Sequence, residues 1–300
     1  MRSLKYYPAT SWEDAVETLT QYENDELDVA GISVNDIERV LSPRDPLNAD
    51  YKSGANLSIS YIGFNVSQPP FDDPKVRQAF AMAINRDQIV RVVLKDMVPV
   101  ANSFMMPGLP GYNSQASLPK FDPNGAKKAL AESKYKDASG LGQITLTEVG
   151  GGANAGVATQ AIIEMWRQNL GVEVSLAQSE AASFYDDLDR GRLQMFDIGW
   201  IMDYPDPEDI IDLLFYSSSR QNNTKYKNPQ FDTLVEQART ELDSTKRLQL
   251  YQQAEQILIQ DMPWIPLYFG KEHFVVKPKV KGFEPLPIVV PMLRYLTLDN

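Results

Sequence analysis

An α/β fold is what this chain predicts, on three observations. Short apolar runs alternate with stretches of helical spacing along most of its length. Several of those stretches open on Asp-Pro or Asn-Pro. The 300 residues contain 43% hydrophobic residues and no Cys, so the core must come from apolar packing. At roughly 100–200 residues per domain, this length allows about two domains. The 29 Lys and Arg against 40 Asp and Glu leave a formal net charge of −11. Such a surface repels polyanions on average, which argues against a nucleic-acid partner and favours cationic or amine-bearing ones.

Taken in order, Trp12 to Tyr22 predicts a helix with Trp12, Ala15, Val16 and Leu19 on one face and Ser11 as its cap. Leu27 to Ile32 is apolar and short enough for a buried strand, and Ser33 to Leu41 resumes helical spacing. Ile59 to Asn65 reads as a strand. Asp73 then caps a helix begun by Pro74, whose inward residues are Val76, Ala79, Phe80, Ala83 and Ile84. From Met97 to Pro119 the chain carries no charge, four Pro and two Gly, which predicts a long surface-tracking loop and excludes a membrane-crossing helix. Asp122 and Pro123 repeat the cap-and-proline device.

Ile144–149, 155–169, 172–177, 182–190 and 195–200 then read β-α-β-α-β, which implies right-handed crossovers onto a largely parallel sheet with ligands beyond the strands' carboxyl ends. Trp200 lies at such an end. Asn228 and Ser244 begin two adjacent amphipathic helices, the first with Phe231, Leu234, Val235, Ala238 and Leu242 inward. Trp264 to Phe269 and His273 to Val276 read as two strands before a Pro-spaced tail.

The composition removes much chemistry. Without Cys there are no thiolate sites, and a lone His273 cannot build a multi-His metal site; it reads as a satisfied or solvent-facing imidazole. Gly150, Gly152 and Gly156 stand where a phosphate-binding turn would, but the spacing departs from GxGxxG and no acid ends the following strand, so an ordinary turn is the reading. Asn56, Asn65 and Asn222 begin N-x-Ser/Thr patterns of a length expected by chance. Asp203, Asp206, Glu208, Asp209 and Asp212 crowd together but fail the calcium-loop pattern; a carboxylate pair for hydrolysis stays open, because its separation is three-dimensional. Trp200 with Asp203 three residues on is the most suggestive pair. An aromatic platform beside a carboxylate can hold an ammonium group, whereas Trp200 as core filler and Asp203 as helix cap is the plainer alternative.

Three segments carry a family resemblance: YIGFNVSQPPFDDPKVRQAFAMAINRDQIV (Tyr61 to Val90), FDIGWIMDYPDP (Phe196 to Pro207), and YKNPQFDTLVEQA through YQQAEQILIQDMPWIPLYF. In order and spacing they resemble the extracytoplasmic solute-binding proteins of ABC importers, in the dipeptide and oligopeptide-binding family. The resemblance implies a periplasmic-binding-protein-like fold of two α/β lobes that close on a ligand. It covers only the carboxyl-terminal part of that pattern: a partial first lobe at 1–62, a nearly complete second lobe at 63–262, and a return to the first lobe at 263–300. Met1 therefore reads as a start inside a longer pattern, which accounts for an acidic opening, Glu13 to Asp28, that lacks the chemistry of an export signal.

Carried over by position, Asp203 matches the acid that pairs with a peptide's α-amino group and Trp200 the aromatic residue of that block. Gly199 and Ile201 match positions whose main chain bonds an extended ligand. The resemblance implies no catalysis, no cofactor, a peptide ligand and a membrane permease as partner, at an extracytoplasmic location, periplasmic or lipoprotein-anchored. Apolar surface left where the upstream part would pack implies a tendency to self-association. The alternatives are another solute, such as an oligosaccharide, an opine or a metal chelate, and a carboxylate-based hydrolase.

Overall fold

The structure, a computed structural model, describes residues 12–150, 156–287 and 295–299. Its elements in chain order are α1 (Trp12–Glu23), β1 (Val29–Gly31), α2 (Ile37–Val40), β2 (Tyr51–Phe64), α3 (Pro74–Met82), α4 (Arg86–Gln88), α5 (Pro123–Glu132), β3 (Ile144–Val149), α6 (Val157–Leu170), β4 (Val174–Ser179), α7 (Ala181–Asp189), β5 (Met195–Ile201), α8 (Leu213–Phe215), α9 (Pro229–Thr240), α10 (Ser244–Asp261), β6 (Trp264–Val276), β7 (Val280–Lys281) and β8 (Thr297–Leu298). They form an α/β chain in two compact units. One comprises Met1–Asn56, Val90–Pro99 and Gly270–Asn300, the other Leu57–Ile89 and Val100–Phe269.

In the first unit β1 runs antiparallel to the end of β6, Val29 opposite Val276 and Gly31 opposite Phe274. Leu19, Tyr22, Ile37, Val40 and Val275 form its core. His273 is buried here. Its Nε2 lies 2.6 Å from Met97 O, and because a carbonyl only accepts, that nitrogen carries the proton while Nδ1 accepts from Tyr51 Oη at 2.8 Å. The imidazole is satisfied, and its burial lowers its pKa. The helix expected over Ser33 to Leu41 shrinks to α2, since Ser33 Oγ bonds Asp36 in the turn before it.

The second unit shows the expected caps. Asp73, Asp122 and Asn228 accept first-turn N–H groups at α3, α5 and α9, each with Pro next in line; at α10 the cap is Asp243, a residue that the sequence did not single out, one before the expected start at Ser244. All five inward residues named for α3 are buried. β3 pairs in parallel with β4 and β5, but β5 pairs antiparallel with β2, so the sheet is mixed where a largely parallel one was expected. The parallel rule applied to the β-α-β-α-β stretch; β2 enters from outside it.

Three further expectations are corrected. The uncharged stretch from Met97 to Pro119 does not track the surface: Phe104, Met105, Met106, Leu109 and Leu118 are buried, because an uncharged loop can exchange its apolar side chains for core contacts. Leu242, placed inward, is 98% exposed, as α9 ends at Thr240 before the helical phase reaches it. The two late strands are one, β6 continuing through Gly270 to His273. Most of the glycine turn, including Gly152, the Ser11 cap and part of the Pro-spaced tail lie outside the described residues.

Candidate functional site

The site grows from the end of β5. Along this strand Phe196 is buried against β2, where Gly63 gives its ring room: a Cβ at Gly63 would collide with it. The strand continues to Ile201 opposite Ser58, with Gly199 opposite Ser60 and Trp200 opposite Ile59. Met202 N–H bonds Leu57 O at 2.9 Å, which fixes the phase of the ladder. In an antiparallel pair alternate residues turn their main-chain groups to the partner, so Trp200 faces β2 while Gly199 and Ile201 turn theirs away. On that outer side β3 is in register only from Met195 to Asp197. Among the described residues no strand covers the edge at Gly199 and Ile201, and both residues are exposed.

The acidic cluster resolves into separate roles. Asp206 receives Arg247 through two bonds of 2.8 and 2.7 Å, and Asp212 receives Arg239 through two of 2.7 Å. Glu208 accepts Tyr204 Oη–H at 2.7 Å. Asp209, fully buried, accepts Trp200 Nε1–H at 2.9 Å and the Asp203 main-chain N–H at 3.3 Å. That leaves Asp203. Its carboxylate is exposed, caps no helix, and has no hydrogen-bond or ion-pair partner among the described residues. Trp200 is half-buried with its indole N–H tethered, not lost in the core. The structure thus brings Gly199, Trp200, Ile201 and Asp203 to one strand end, where Val149 and Val157 at the neighbouring β3–α6 turn, with Ile201 and Tyr204, are exposed apolar residues.

Two further residues bear on this end, Asp197, which the sequence did not single out, and Asp209, which it offered only as one of five crowded acids. Asp197, in register with Glu148 on β3, accepts Thr159 Oγ1–H at 2.9 Å; burial, with Glu148 nearby, pushes its carboxyl up to about 6. Asp209 is the other. An acid eight residues past a strand end has no pattern of its own, and only the fold shows that it meets the indole. No group of three or more His, Cys, Asp or Glu side chains among the described residues is placed to hold a metal.

Comparison with known proteins agrees with this architecture. Residues 9–222 match the family model "Bacterial extracellular solute-binding proteins, family 5 Middle". The chain is 31% identical over 270 residues to the oligopeptide-binding protein OppA of Bacillus subtilis, covering 88% of this chain and 49% of that protein. It is 30% identical to the dipeptide-binding protein DppE of the same species, covering 89% and 49%. A solved dipeptide-binding protein from Pseudoalteromonas in complex with Met-Leu superposes with a TM-score of 0.78 at 26% identity, covering 95% of this chain and 56% of that one. The chain spans about half the length of the curated relatives it matches.

Proposed function

The chain belongs to the bacterial extracellular solute-binding proteins, family 5, and from that membership we propose that it is part of the substrate-binding component of an ABC importer that captures peptides by their free amino terminus and main chain. The observation that carries this reading is the free Asp203 carboxylate, the one acid of five in its segment without a described partner, beside an uncovered main-chain edge at Gly199 and Ile201. A peptide laid along that edge is recognised by hydrogen bonds common to every sequence, while its ammonium group forms a charge-assisted bond with Asp203 over the Trp200 ring. Residues 1–62 and 263–300 then belong to a first lobe and 63–262 to a second, and delivery is to a membrane permease outside the cytoplasm. The neighbouring acids that a hydrolase would need are engaged with Arg247, Arg239 and Tyr204, which disfavours catalysis.

The test is a calorimetric titration of the full-length protein, wild type and Asp203→Asn, with a mixed peptide pool bearing free or acetylated amino termini. The reading expects Asp203→Asn and acetylation each to weaken binding by roughly 30-fold or more, and their effects not to add. Peptide binding indifferent to both would remove the amine anchor. No heat with any peptide would point to another solute.

A further inference from the structure

Asp209 is the least expected residue at this strand end. It lies fully buried in the short helical segment Glu208–Asp212. Its Oδ2 takes both the Trp200 indole N–H and the Asp203 main-chain N–H, at 2.9 and 3.3 Å, and its Oδ1 is buried with no hydrogen-bond partner among the described residues. Burying a carboxylate costs free energy unless partners repay it. The acids on either side recover that cost from arginines, Asp206 from Arg247 and Asp212 from Arg239. Asp209 has no such cation among the described residues. Both of its hydrogen-bond donors among the described residues belong to the candidate site, one the aromatic platform and the other the backbone that carries the free acid.

We propose that Asp209 is the positioning residue of the amine site: it fixes the plane of the Trp200 indole and the backbone from which the Asp203 carboxylate projects, without touching ligand itself. This rests on the amine-capture reading above. The geometry explains why one oxygen serves two donors. A shared acceptor couples the ring to the loop, so the platform and the anchor keep their spacing when the site is empty. Prearranged groups bind with less ordering cost, and the benefit falls on ligands that use both, which are those with a free ammonium group. Core stability alone gives no reason for a buried acid here, since an apolar side chain of similar size would avoid the desolvation cost.

The test uses the full-length protein and the ratio of its affinities for a mixed tripeptide pool with free and with acetylated amino termini, together with the nitrogen-15 resonance of the Trp200 indole. Asp209→Leu removes both acceptor oxygens. It is expected to shift the indole resonance and to lower the free-amine preference by roughly tenfold or more, while binding of the acetylated pool changes little. Asp209→Asn, which still offers one oxygen to both donors, should restore most of the preference; a purely structural role would move both affinities together. If the leucine variant does not fold, Asp209→Ala makes the same comparison. An unchanged preference in a folded variant whose indole resonance has moved overturns the positioning role and leaves amine capture standing. A wild type that does not distinguish free from acetylated peptides overturns both.

Discussion

Glu255 sits in α10 with no exposed surface, its Oε1 accepting the main-chain N–H groups of Phe104 and Met105 at 3.0 and 2.7 Å. Together with Gln252, whose side-chain amide donates to Gly111 O at 2.9 Å, it fastens the uncharged 97–119 loop to the helix layer. Burial pushes its carboxyl up to about 7, the two N–H bonds restoring only part of the lost hydration. An acid whose native pKa is raised binds its proton more tightly folded than unfolded. Its favourable contribution is complete below the unfolded value near 4.5 and is lost as pH rises through about 7. Unfolding free energy should therefore fall between pH 5 and pH 8, and Glu255→Gln should flatten that slope by on the order of 3 kcal/mol, read from urea titrations at both pH values. Asp197, also raised, adds a slope of the same sign. Burial of this kind was illegible beforehand: Glu255 occupies an ordinary helix position among Gln and Leu, and only the loop's descent into the core makes it interior. The Trp200–Asp203 pair was legible, because an aromatic and an acid at a strand end have a chemical reason to be together. Asp209 was one acid among five, and nothing in its spacing separated it from the two that hold arginines.

Helix starts were the most legible elements, since a cap and a following proline act locally. Their energetics differ in ways the pattern does not carry. Asp122 holds only its own helix by Gly125 N–H, whereas Asp73 accepts Lys75 N–H with one oxygen and Lys134 N–H, from beyond α5, with the other. Asp73→Ala should therefore cost about 2 kcal/mol and Asp122→Ala about 1, measured by chemical unfolding. The strands were read less well. β2 begins at Tyr51, eight residues earlier than its apolar run, because pairing with its neighbours in the sheet carries the strand through a stretch in which only Leu57 is buried. β6 carries through Gly270 for the same reason. At the β2–β5 contact Gly63→Ala would press a methyl group into the Phe196 ring and should cost roughly 1–3 kcal/mol, with the melting temperature as readout; Ser60→Ala on the same strand, opposite Gly199, serves as the comparison without that clash.

Over the whole chain, the charge of −11 acts on encounter and not on fold. If peptides are the ligand, a dicationic tripeptide should associate faster than a dianionic one at low ionic strength. The gap should close at about 0.5 M salt, where screening shortens electrostatic reach to a few ångströms; stopped-flow rates at two salt concentrations decide it. Equal rates at low salt would mean that the site's local field outweighs the chain's net charge. At this scale the sequence was legible through its alternation of elements and its three family-like segments. The mixed sheet was not, since the antiparallel neighbour of β5 comes from more than a hundred residues upstream and sequence spacing says nothing about which edge it joins.

On the proposed function, the edge at Gly199 and Ile201, which no strand covers among the described residues, sets a limit on discrimination. A protein that grips a polymer by its repeat cannot read its letters. On the proposed function, any molecule with a free amine and an intact amide spine is admitted, nutrient or poison alike. Methylating a single amide nitrogen at the right step would be a sufficient disguise, since it removes a donor from the ladder without altering any side chain. Such a peptide would remain food by composition and yet pass unseen.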